Sequence, residues 1–327
     1  MVLMNKVSFL MKKIAQLILT LFAIATFNFL LFRILPGDPL KLIARAGKLS
    51  PEAIARLQDL FGLNQSRWDQ YLIYLKNIVT GQYGISITYR RPVMDIIAER
   101  MSNTLLLLCA ATIIVIIVGV GLGILAAMKR GTKTDNTLIV LSMVGWSLPT
   151  FWTGLIFIII FGVYLHVLPI AGLLTPGMVY TSYGAIVMDY ANHLILPTLA
   201  LIIVDMAQFF LITRNTLVDV FTEDYILTAK GKGLSPMLTM RRHALPNAML
   251  PIITTLALYV SLVIGGAIQV ETVFSYPGMG KLMYDAVLKR DYPILEASFF
   301  IMASVTIIAN FISDILYMLV DPRVKNI

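Results

Sequence analysis

The sequence predicts an all-α membrane protein that crosses the bilayer six times, and three observations support this fold class. Hydrophobic residues make up 58% of the 327 residues and charged residues 13%, against roughly 45–50% and about 25% in soluble domains. The hydrophobic residues form continuous blocks of the roughly 20 residues that a spanning helix needs. A transmembrane β-barrel would show alternating segments of about 10 residues instead, so the spans are expected to be helices.

Six such blocks can be placed along the chain, and together they predict a single transmembrane domain over residues 1–327. The blocks are Ile14–Phe32, Thr104–Met128, Leu138–Leu165, Leu194–Thr213, Met249–Val273 and Ile294–Val320. The first block is longer than the 7–15 apolar residues of a cleavable signal, and no small-x-small site follows it. It is therefore expected to be a retained span.

Basic residues outnumber acidic residues by 26 to 18, and their positions indicate how the spans are oriented. They cluster at Lys6, Lys12 and Lys13, at Lys129, Arg130 and Lys133, at Arg214, Lys230, Lys232, Arg241 and Arg242, and at Arg323 and Lys325. Because cytoplasmic loops carry an excess of Lys and Arg, these four segments and both termini are expected inside a cell membrane. Membrane topology thus accounts for the net charge of +8 without a nucleic-acid partner.

The longest outer segment, residues 34–100, is expected to fold into helices. Ser50-Pro51-Glu52 offers an N-cap and a first-turn proline for a helix over Pro51–Phe61. Ser66 and Asp69 resemble a capping box for a second helix, Arg67–Thr80, which carries an apolar stripe. We interpret the pair as a small helical cap with its own core, and its surface can also receive a partner.

Two further outer stretches are rich in turn-forming residues. Residues 169–184, including Tyr183-Gly184, are predicted as a loop between the third and fourth spans and suggest no chemistry. The third outer stretch begins with Phe274–Gly280. A helical pattern that includes Leu282 and Ala286 follows, and we expect this short helix to lie over the mouth of the bundle.

The cytoplasmic segment, residues 214–247, is too long for a turn, and loops beyond about 12–15 residues usually have a function. Two helical tracts are separated there by Gly231, Gly233, Ser235 and Pro236. These breaker residues predict a helix–turn–helix that projects from the membrane.

Motifs for catalysis or cofactor binding are not found in the sequence. The nearest approach to a phosphate-binding loop, at Gly280-Lys281, lacks both the first glycine and the final Ser or Thr. Cys109 is the single cysteine, and His166, His193 and His243 are widely spaced. We therefore expect no enzymatic activity, no metal site and no cofactor bound by this chain.

Two pairs of residues inside the spans suggest roles within the membrane. Gly119 and Gly123 are four residues apart and predict the close approach of another helix. Asp205 and Gln208 share one face of the fourth span, where an ionised carboxylate costs at least about 2.5–3.5 kcal/mol and needs water or a partner. They either border a polar passage or form a structural hydrogen bond to another helix, and both interpretations stay open.

The cytoplasmic segment carries residues of a known signature. Asp224-Tyr-Ile-Leu-Thr-Ala-Lys-Gly-Lys-Gly-Leu-Ser235, followed by Arg242-His-Ala-Leu-Pro-Asn-Ala248, closely resembles the signature of binding-protein-dependent ABC importer permeases. Ala229 and Gly233 match its alanine and its obligatory glycine. Leu227 stands at the usual glutamate position, a departure common in the peptide branch.

Further stretches resemble the dipeptide, oligopeptide and nickel branch of this family nearly from end to end. They are Arg33-Ile-Leu-Pro-Gly-Asp-Pro39, Phe61-Gly-Leu-Asn64, Ser102-Asn-Thr104, Ser147-Leu-Pro-Thr-Phe151, Glu271-Thr-Val-Phe-Ser-Tyr-Pro-Gly-Met-Gly280, Arg290-Asp-Tyr-Pro293 and Asp321-Pro-Arg323. The long first outer loop is similar to that of the subunit type with Leu-Pro-Gly-Asp-Pro after the first span.

The resemblance implies the type I ABC importer fold and a division of labour among subunits. The partners would be a second permease subunit, two cytoplasmic ATPases that bind ATP and Mg²⁺, and an external solute-binding protein that delivers a peptide. Contact with an ATPase would involve Asp224, Thr228, Ala229, Lys232, Gly233, Leu234 and Ser235. An outer gate or a contact with the binding protein would involve Glu271, Tyr276, Pro277 and Gly278.

Two other classes of protein compete with this interpretation. An ion-coupled secondary transporter is suggested by Asp205 alone, and a membrane enzyme would need a convergent catalytic set that the sequence does not offer. Neither class explains residues 214–247. Within the family, the sequence leaves the cargo open between dipeptides, longer peptides, a nickel chelate and another small solute, because specificity resides largely in the external protein.

Overall fold

The structure, a computed structural model, describes residues 2–34, 52, 55, 59 and 65–320. Its helices are α1 (Val2–Ile34), α2 (Arg67–Thr80), α3 (Val93–Met128), α4 (Lys133–Ser147), α5 (Thr150–Phe157), α6 (Tyr183–Val220), α7 (Asp224–Gly231), α8 (Pro236–Thr239), α9 (Leu245–Gly266), α10 (Ile268–Val273), α11 (Met279–Lys289) and α12 (Tyr292–Val320). Two π-helical stretches, Ile158–Tyr164 and Met240–Ala244, continue α5 and α8. The predicted all-α class is confirmed.

Four of the described helices are long and apolar enough to cross a membrane. They are Leu10–Phe32, Val93–Met128, Tyr183–Val220 and Tyr292–Ile315, and they contain or overlap the first, second, fourth and sixth predicted spans. The bent pair Lys133–Ser147 and Thr150–Tyr164 makes a fifth only if its two parts form one broken span. The fifth predicted span, Met249–Val273, is divided between α9 and α10 at Ala267, so the count of six stays a prediction. The predicted outer helix Pro51–Phe61 lies, but for three positions, outside the described residues.

The predicted span Leu138–Leu165 does not form one continuous helix. The helix breaks between Ser147 and Thr150, and the two parts are bent by 100°. Leu148 has an extended backbone, with φ −81° and ψ 131°. Pro149 causes the break because it disfavours the helical conformation in the preceding residue and has no N–H to donate. Another prediction also needs correction: Tyr183-Gly184 opens α6 instead of ending the outer loop.

The chain divides into two compact units. The N-terminal unit comprises residues 1–105 and 277–311, and the central unit comprises residues 106–276 and 312–327. In the N-terminal unit, Val93, Ile96 and Ile97 of α3 form a buried cluster with side chains of α11 and α12. Leu282 and Ala286 belong to this cluster, which confirms the predicted short helix and explains its apolar spacing.

Helix α2 begins and ends where the sequence predicts. The Ser66 hydroxyl accepts a hydrogen bond from the Asp69 amide at 3.2 Å, and Gly81 forms the C-cap in a left-handed conformation. The Ser66 hydroxyl also donates to the Asp69 carboxylate at 2.6 Å. In a capping box the longer Glu reaches back to the N-cap amide; here the shorter Asp side chain accepts from the hydroxyl.

A buried carboxylate organises the loop after α2. Asp291, 1% exposed, accepts hydrogen bonds from the Ser86 hydroxyl at 2.6 Å and from the Thr88 amide at 2.9 Å. The Ile87 amide donates to its other oxygen at 3.3 Å. Because a buried charge needs several hydrogen bonds to offset its lost hydration, Asp291 holds this loop at the start of α12. The Asp291 of the Arg290–Pro293 motif thus has a structural role, because it fixes residues 86–88.

In the central unit, α3 and α6 pack closely through the predicted glycines. A Cβ atom placed on Gly119 would lie 2.7 Å from the Phe209 Cβ atom, and one on Gly123 would lie 2.7 Å from the Thr213 Cβ atom. Gly121, on another face of α3, has nothing within 4 Å of the same position. The predicted role of Gly119 and Gly123 in helix packing is confirmed.

These three glycines make a matched set for measuring the packing. We expect Gly119→Ala and Gly123→Ala each to destabilise the protein by about 1–3 kcal/mol, the usual cost of overpacking. Gly121→Ala should be neutral or stabilising, because alanine favours a helix by about 1 kcal/mol over glycine. Thermal unfolding of the purified protein checks this order. Equal midpoints for the three variants would contradict it.

Candidate functional site

At the turn around Gly233, helix α7 ends in a C-terminal cap that contains glycine, and helix α8 begins directly after it. The Leu234 amide donates to the Ala229 carbonyl at 3.4 Å, and the Gly233 amide donates to the Lys230 carbonyl at 2.9 Å. These two bonds form a Schellman motif, with Gly233 at the left-handed position and φ at +79°. Glycine fits because it adopts positive φ without a Cβ clash.

Ser235 and Pro236 then start α8. The Ser235 hydroxyl accepts from the Leu238 amide at 3.4 Å, and Pro236 occupies the first turn, where its missing N–H costs no helical hydrogen bond. One helix therefore ends and the next begins within five residues, Gly231 to Ser235. We call residues 224–244 the helical hairpin. The two helices and the turn between them are present as predicted, whereas their projection from the membrane stays a prediction.

The helical hairpin is fastened to the ends of three long helices. Ile226 is fully buried and lies in a cluster with Ala127 of α3, Leu217 of α6 and Ala248 of α9. Val218 and Ala244 complete this cluster. Because protein interiors are close-packed, a displacement of α7 must be accompanied by movement of these helix ends.

The seven residues predicted to contact an ATPase divide into two sets. Asp224, Thr228, Lys232, Gly233 and Ser235 are exposed on the helical hairpin, and Leu234 is half-buried. Ala229 is only 5% exposed. Its side chain therefore belongs to the interior of this chain, and it supports the turn through its carbonyl group instead of presenting a surface.

The hairpin also exposes apolar side chains that the sequence analysis did not single out. They are Tyr225, Leu227, Met237 and Leu238, with exposures between 37% and 56%. Single exposed apolar residues are common on proteins, and four of them on one short segment make this segment a candidate for contact with another protein. Leu227 stands where the family signature usually has a glutamate, and this replacement was the one sign of an exposed apolar residue that the sequence offered.

Asp205 is held by a hydrogen bond between two helices. The Tyr259 hydroxyl on α9 donates to Asp205 on α6 at 2.7 Å, and the Tyr259 ring packs edge-on against Phe209. The structural hydrogen bond considered for Asp205 is thus present. Gln208 is exposed, whereas Asp205 is half-buried. A role of either residue in lining a passage stays a prediction.

The predicted outer contact residues are mostly buried. Glu271 and Tyr276 have no exposed surface, and Gly278 is also buried. The Tyr276 amide donates to the Glu271 carbonyl at 2.8 Å, and burial raises the pKa of the Tyr276 hydroxyl. In this conformation neither side chain is exposed for direct contact with another protein, and a role at an outer gate stays a prediction.

Two motifs that are distant in sequence meet in the N-terminal unit. The Asn103 amide group donates to the Pro277 carbonyl at 2.9 Å, and the Thr104 hydroxyl accepts from the Met279 amide at 2.8 Å. Thr104 thus satisfies one of the four amides that the first turn of α11 leaves without a helical partner. Within the described ranges, no group of three or more His, Cys, Asp or Glu side chains is placed to hold a metal ion.

Comparisons with known proteins agree along nearly the whole chain. Residues 119–326 match the family described as "Binding-protein-dependent transport system inner membrane component", and residues 6–108 match the N-terminal region of such components. A chain of the MetNI methionine ABC transporter, solved in inward-facing conformations, superposes with a TM-score of 0.55. The superposition covers 70% of the present chain and 97% of the transporter chain. Because the two sequences are only 15% identical, this likeness supports the fold alone.

Two curated relatives align over nearly their full lengths. The dipeptide transport system permease protein DppB of Escherichia coli (strain K12) is 35% identical, over 97% of this chain and 98% of the relative. The oligopeptide transport system permease protein AppB of Bacillus subtilis (strain 168) is 35% identical, over 97% and 99%. The chain therefore belongs to the family of binding-protein-dependent transport system inner membrane components.

Proposed function

We propose that this chain is one of two pore-forming subunits of an ATP-driven importer of dipeptides or oligopeptides. Its partners are a second permease subunit, two ATPase subunits that bind ATP and Mg²⁺, and an external solute-binding protein. The peptide cargo is supported by the relatives, whose names specify dipeptide and oligopeptide transport. ATP binding is assigned to the ATPase subunits because the sequence of this chain contains no phosphate-binding loop motif.

The observation that carries the proposal is the anchoring of the helical hairpin. One side of α7 is buried through Ile226 among the ends of α3, α6 and α9, while Tyr225 and Leu227 are exposed. An ATPase bound to the exposed side could pull on these three helices at once. ATP binding would bring the two ATPases together, and the helical hairpin would carry this movement into the spans.

The helix break at Pro149 suits such a mechanism. Helices α4 and α5 meet at an extended residue, so their angle can change through a few backbone dihedrals without loss of internal helical hydrogen bonds. We propose that the passage alternates between inward-facing and outward-facing states as this angle and the packing of α6 change. Substrate from the binding protein would enter the outward-facing state.

A transport assay with the intact cell membrane tests the proposed function. Affinity purification of this chain should recover a second permease and two ATPase subunits. Uptake of a labelled dipeptide should require ATP and the binding protein, and it should continue when an ionophore collapses the ion gradients. Uptake that follows the ion gradient and needs no ATPase would contradict the proposal. If a nickel chelate, but no peptide, competed for uptake, the proposed cargo would be wrong while the proposed importer architecture would stand.

The proposed orientation places both termini in the cytoplasm and predicts opposite accessibility for two exposed positions. In a chain with Cys109→Ala, Thr88→Cys should react with an impermeant thiol reagent added outside the cell. Arg241→Cys should react only after the cytoplasmic side is opened to the reagent. Both positions are exposed in the structure. Reversed labelling would contradict the orientation.

Asp205 offers a test of the proposed passage. Asp205→Asn retains the size and can still accept the hydrogen bond of Tyr259, whereas Tyr259→Phe removes that bond and keeps the ring. If the charge acts in transport, Asp205→Asn should reduce uptake severalfold, while Tyr259→Phe should mainly lower thermal stability, by about 1–3 kcal/mol. Normal uptake by Asp205→Asn would leave this carboxylate a structural role only.

A further inference from the structure

Helix α2 divides its surface into three separate stripes. Tyr74 and Asn77 are buried, and Tyr71 and Ile78 on the same side are half-buried. A second stripe is apolar but exposed: Trp68 at 66%, Leu72 at 48% and Val79 at 85%. A third stripe, Asp69, Lys76 and Thr80, is polar and exposed. At 3.6 residues per turn, the members of each stripe fall on one face.

The buried stripe holds α2 against the end of the first span. The Tyr71 hydroxyl lies 2.7 Å from the Thr26 hydroxyl, and the Asn28 amide group donates to the Tyr74 hydroxyl at 2.8 Å. The rings of Tyr71 and Tyr74 also pack against Phe29, at 5.2 and 5.5 Å between centroids. These contacts fix the level of α2 along α1.

This level lies inside the hydrophobic span. Thr26 precedes Phe32, the last residue of the first apolar block, by six positions, which is about 9 Å along a helix. Over the same stretch α1 exposes Phe27, Leu30 and Leu31. An interfacial helix buries its apolar face about 5–10 Å into the boundary between headgroups and acyl chains. Helix α2 is therefore held at the depth where its exposed apolar stripe can meet lipid.

We propose that α2 is an interfacial helix whose Trp68–Leu72–Val79 stripe lies in the lipid headgroup–acyl boundary, while its Asp69–Lys76–Thr80 stripe faces water. The separation of the two exposed stripes favours lipid as the occupant, because a lipid boundary is apolar on one side and wet on the other. Trp68 fits the aromatic belt at this boundary. The lipid is that of the outer leaflet if the proposed orientation holds.

This arrangement would restrict the movement of α2. A helix fixed both to α1 and to the bilayer surface cannot follow a moving substrate-binding protein freely. Only its polar stripe and the neighbouring loop remain available to such a partner. The inference does not depend on the ATPases or the cargo, so it can fail while the proposed function stands.

Spin labels on the two exposed stripes test the proposal in the assembled transporter, reconstituted in phosphatidylcholine–phosphatidylglycerol vesicles. In a Cys109→Ala background, labels replace Trp68, Leu72 or Val79, and the matched controls replace Asp69, Lys76 or Thr80. Collision rates are measured with oxygen, which partitions into lipid, and with the water-soluble nickel complex NiEDDA. Uptake by each labelled variant verifies assembly.

We expect the ratio of oxygen to NiEDDA collisions to be severalfold higher on the apolar stripe than on the polar stripe. Val79 is the most exposed of these side chains and decides the outcome if labels at Trp68 or Leu72 impair assembly. Equally low ratios on both stripes would place the apolar stripe in water. Shielding of the apolar stripe from both reagents would place it against another protein. Either result overturns the proposal.

Discussion

Gly233→Glu is expected to leave the protein in the membrane but to reduce both ATPase copurification and uptake by about tenfold or more. Gly233 lies in the exposed turn of the helical hairpin with φ at +79°. Most side chains other than glycine cost roughly 1–2 kcal/mol in this conformation, and 1–2 kcal/mol corresponds to a factor of about 5–30 in population. The added carboxylate would also project from the proposed contact surface.

Gly131 provides a matched control for this experiment. It too has a positive φ, +77°, in a turn between helices, and a Cβ atom at either glycine would meet nothing within 4 Å in this chain. Gly131→Glu therefore introduces the same charge and a similar backbone strain outside the helical hairpin. We expect it to cost stability without a specific loss of ATPase binding.

Two milder variants separate strain from contact. Gly233→Ala adds strain with the smallest side chain, whereas Gly233→Asn is better tolerated at positive φ but adds bulk. If close approach of the ATPase matters most, Asn should impair binding at least as strongly as Ala. Membrane abundance, ATPase copurification and substrate-stimulated hydrolysis with uptake are the three readouts. Values equal to the unmodified protein in all three would remove Gly233 from the contact.

Arg214→Ala is expected to destabilise the protein by about 3–5 kcal/mol, the usual cost of removing one partner of a buried ion pair. Asp135 is 1% exposed and receives two hydrogen bonds from the guanidinium of Arg214, at 2.8 and 3.1 Å. The Gly131 amide also donates to Asp135 at 2.9 Å. Without Arg214, the carboxylate of Asp135 would remain buried beside a single donor.

The pair joins the beginning of α4 to the part of α6 that leads into the helical hairpin. Arg214→Lys should be intermediate, because one ammonium group cannot reproduce the two parallel bonds of a guanidinium. The exposed pair Arg91–Glu99, at 3.4 Å, is a suitable control. Arg91→Ala should change stability by no more than about 1 kcal/mol. Thermal unfolding of the purified complexes compares these variants, and similar midpoints for Arg214→Ala and Arg91→Ala would contradict the prediction.

Local patterns predicted much of the helical hairpin and of α2. Gly233, Ser235 and Pro236 specify a helix end and a helix start through short-range geometry, which is why the turn could be recognised from sequence. Ser66 and Gly81 delimit α2 for the same reason. In contrast, the separation of Leu138–Leu165 into two helices was missed, because hydrophobicity alone does not reveal how a membrane helix responds to Pro149.

The partners of buried polar groups could not be predicted, because they come from distant parts of the chain. Asp205 required a partner or water, yet no pattern identified Tyr259 as the donor. Asp291 likewise meets Ser86 across the fold. Glu271 and Tyr276 were expected near an outer contact, and only the tertiary structure showed that both are buried.

The sequence by itself determined the membrane class, the position of most spans, the family signature and the turn at Gly233. These features depend on the composition and periodicity of contiguous residues. Local sterics determine the turn, and the favourable transfer of apolar side chains from water to lipid determines the spans. Only the tertiary structure decided which sides of the helices are buried. It turned Ala229 inward, anchored Ile226 among three helix ends, and left Trp68, Leu72 and Val79 exposed at the level of the first span. Those outcomes depend on packing between elements that are far apart in sequence.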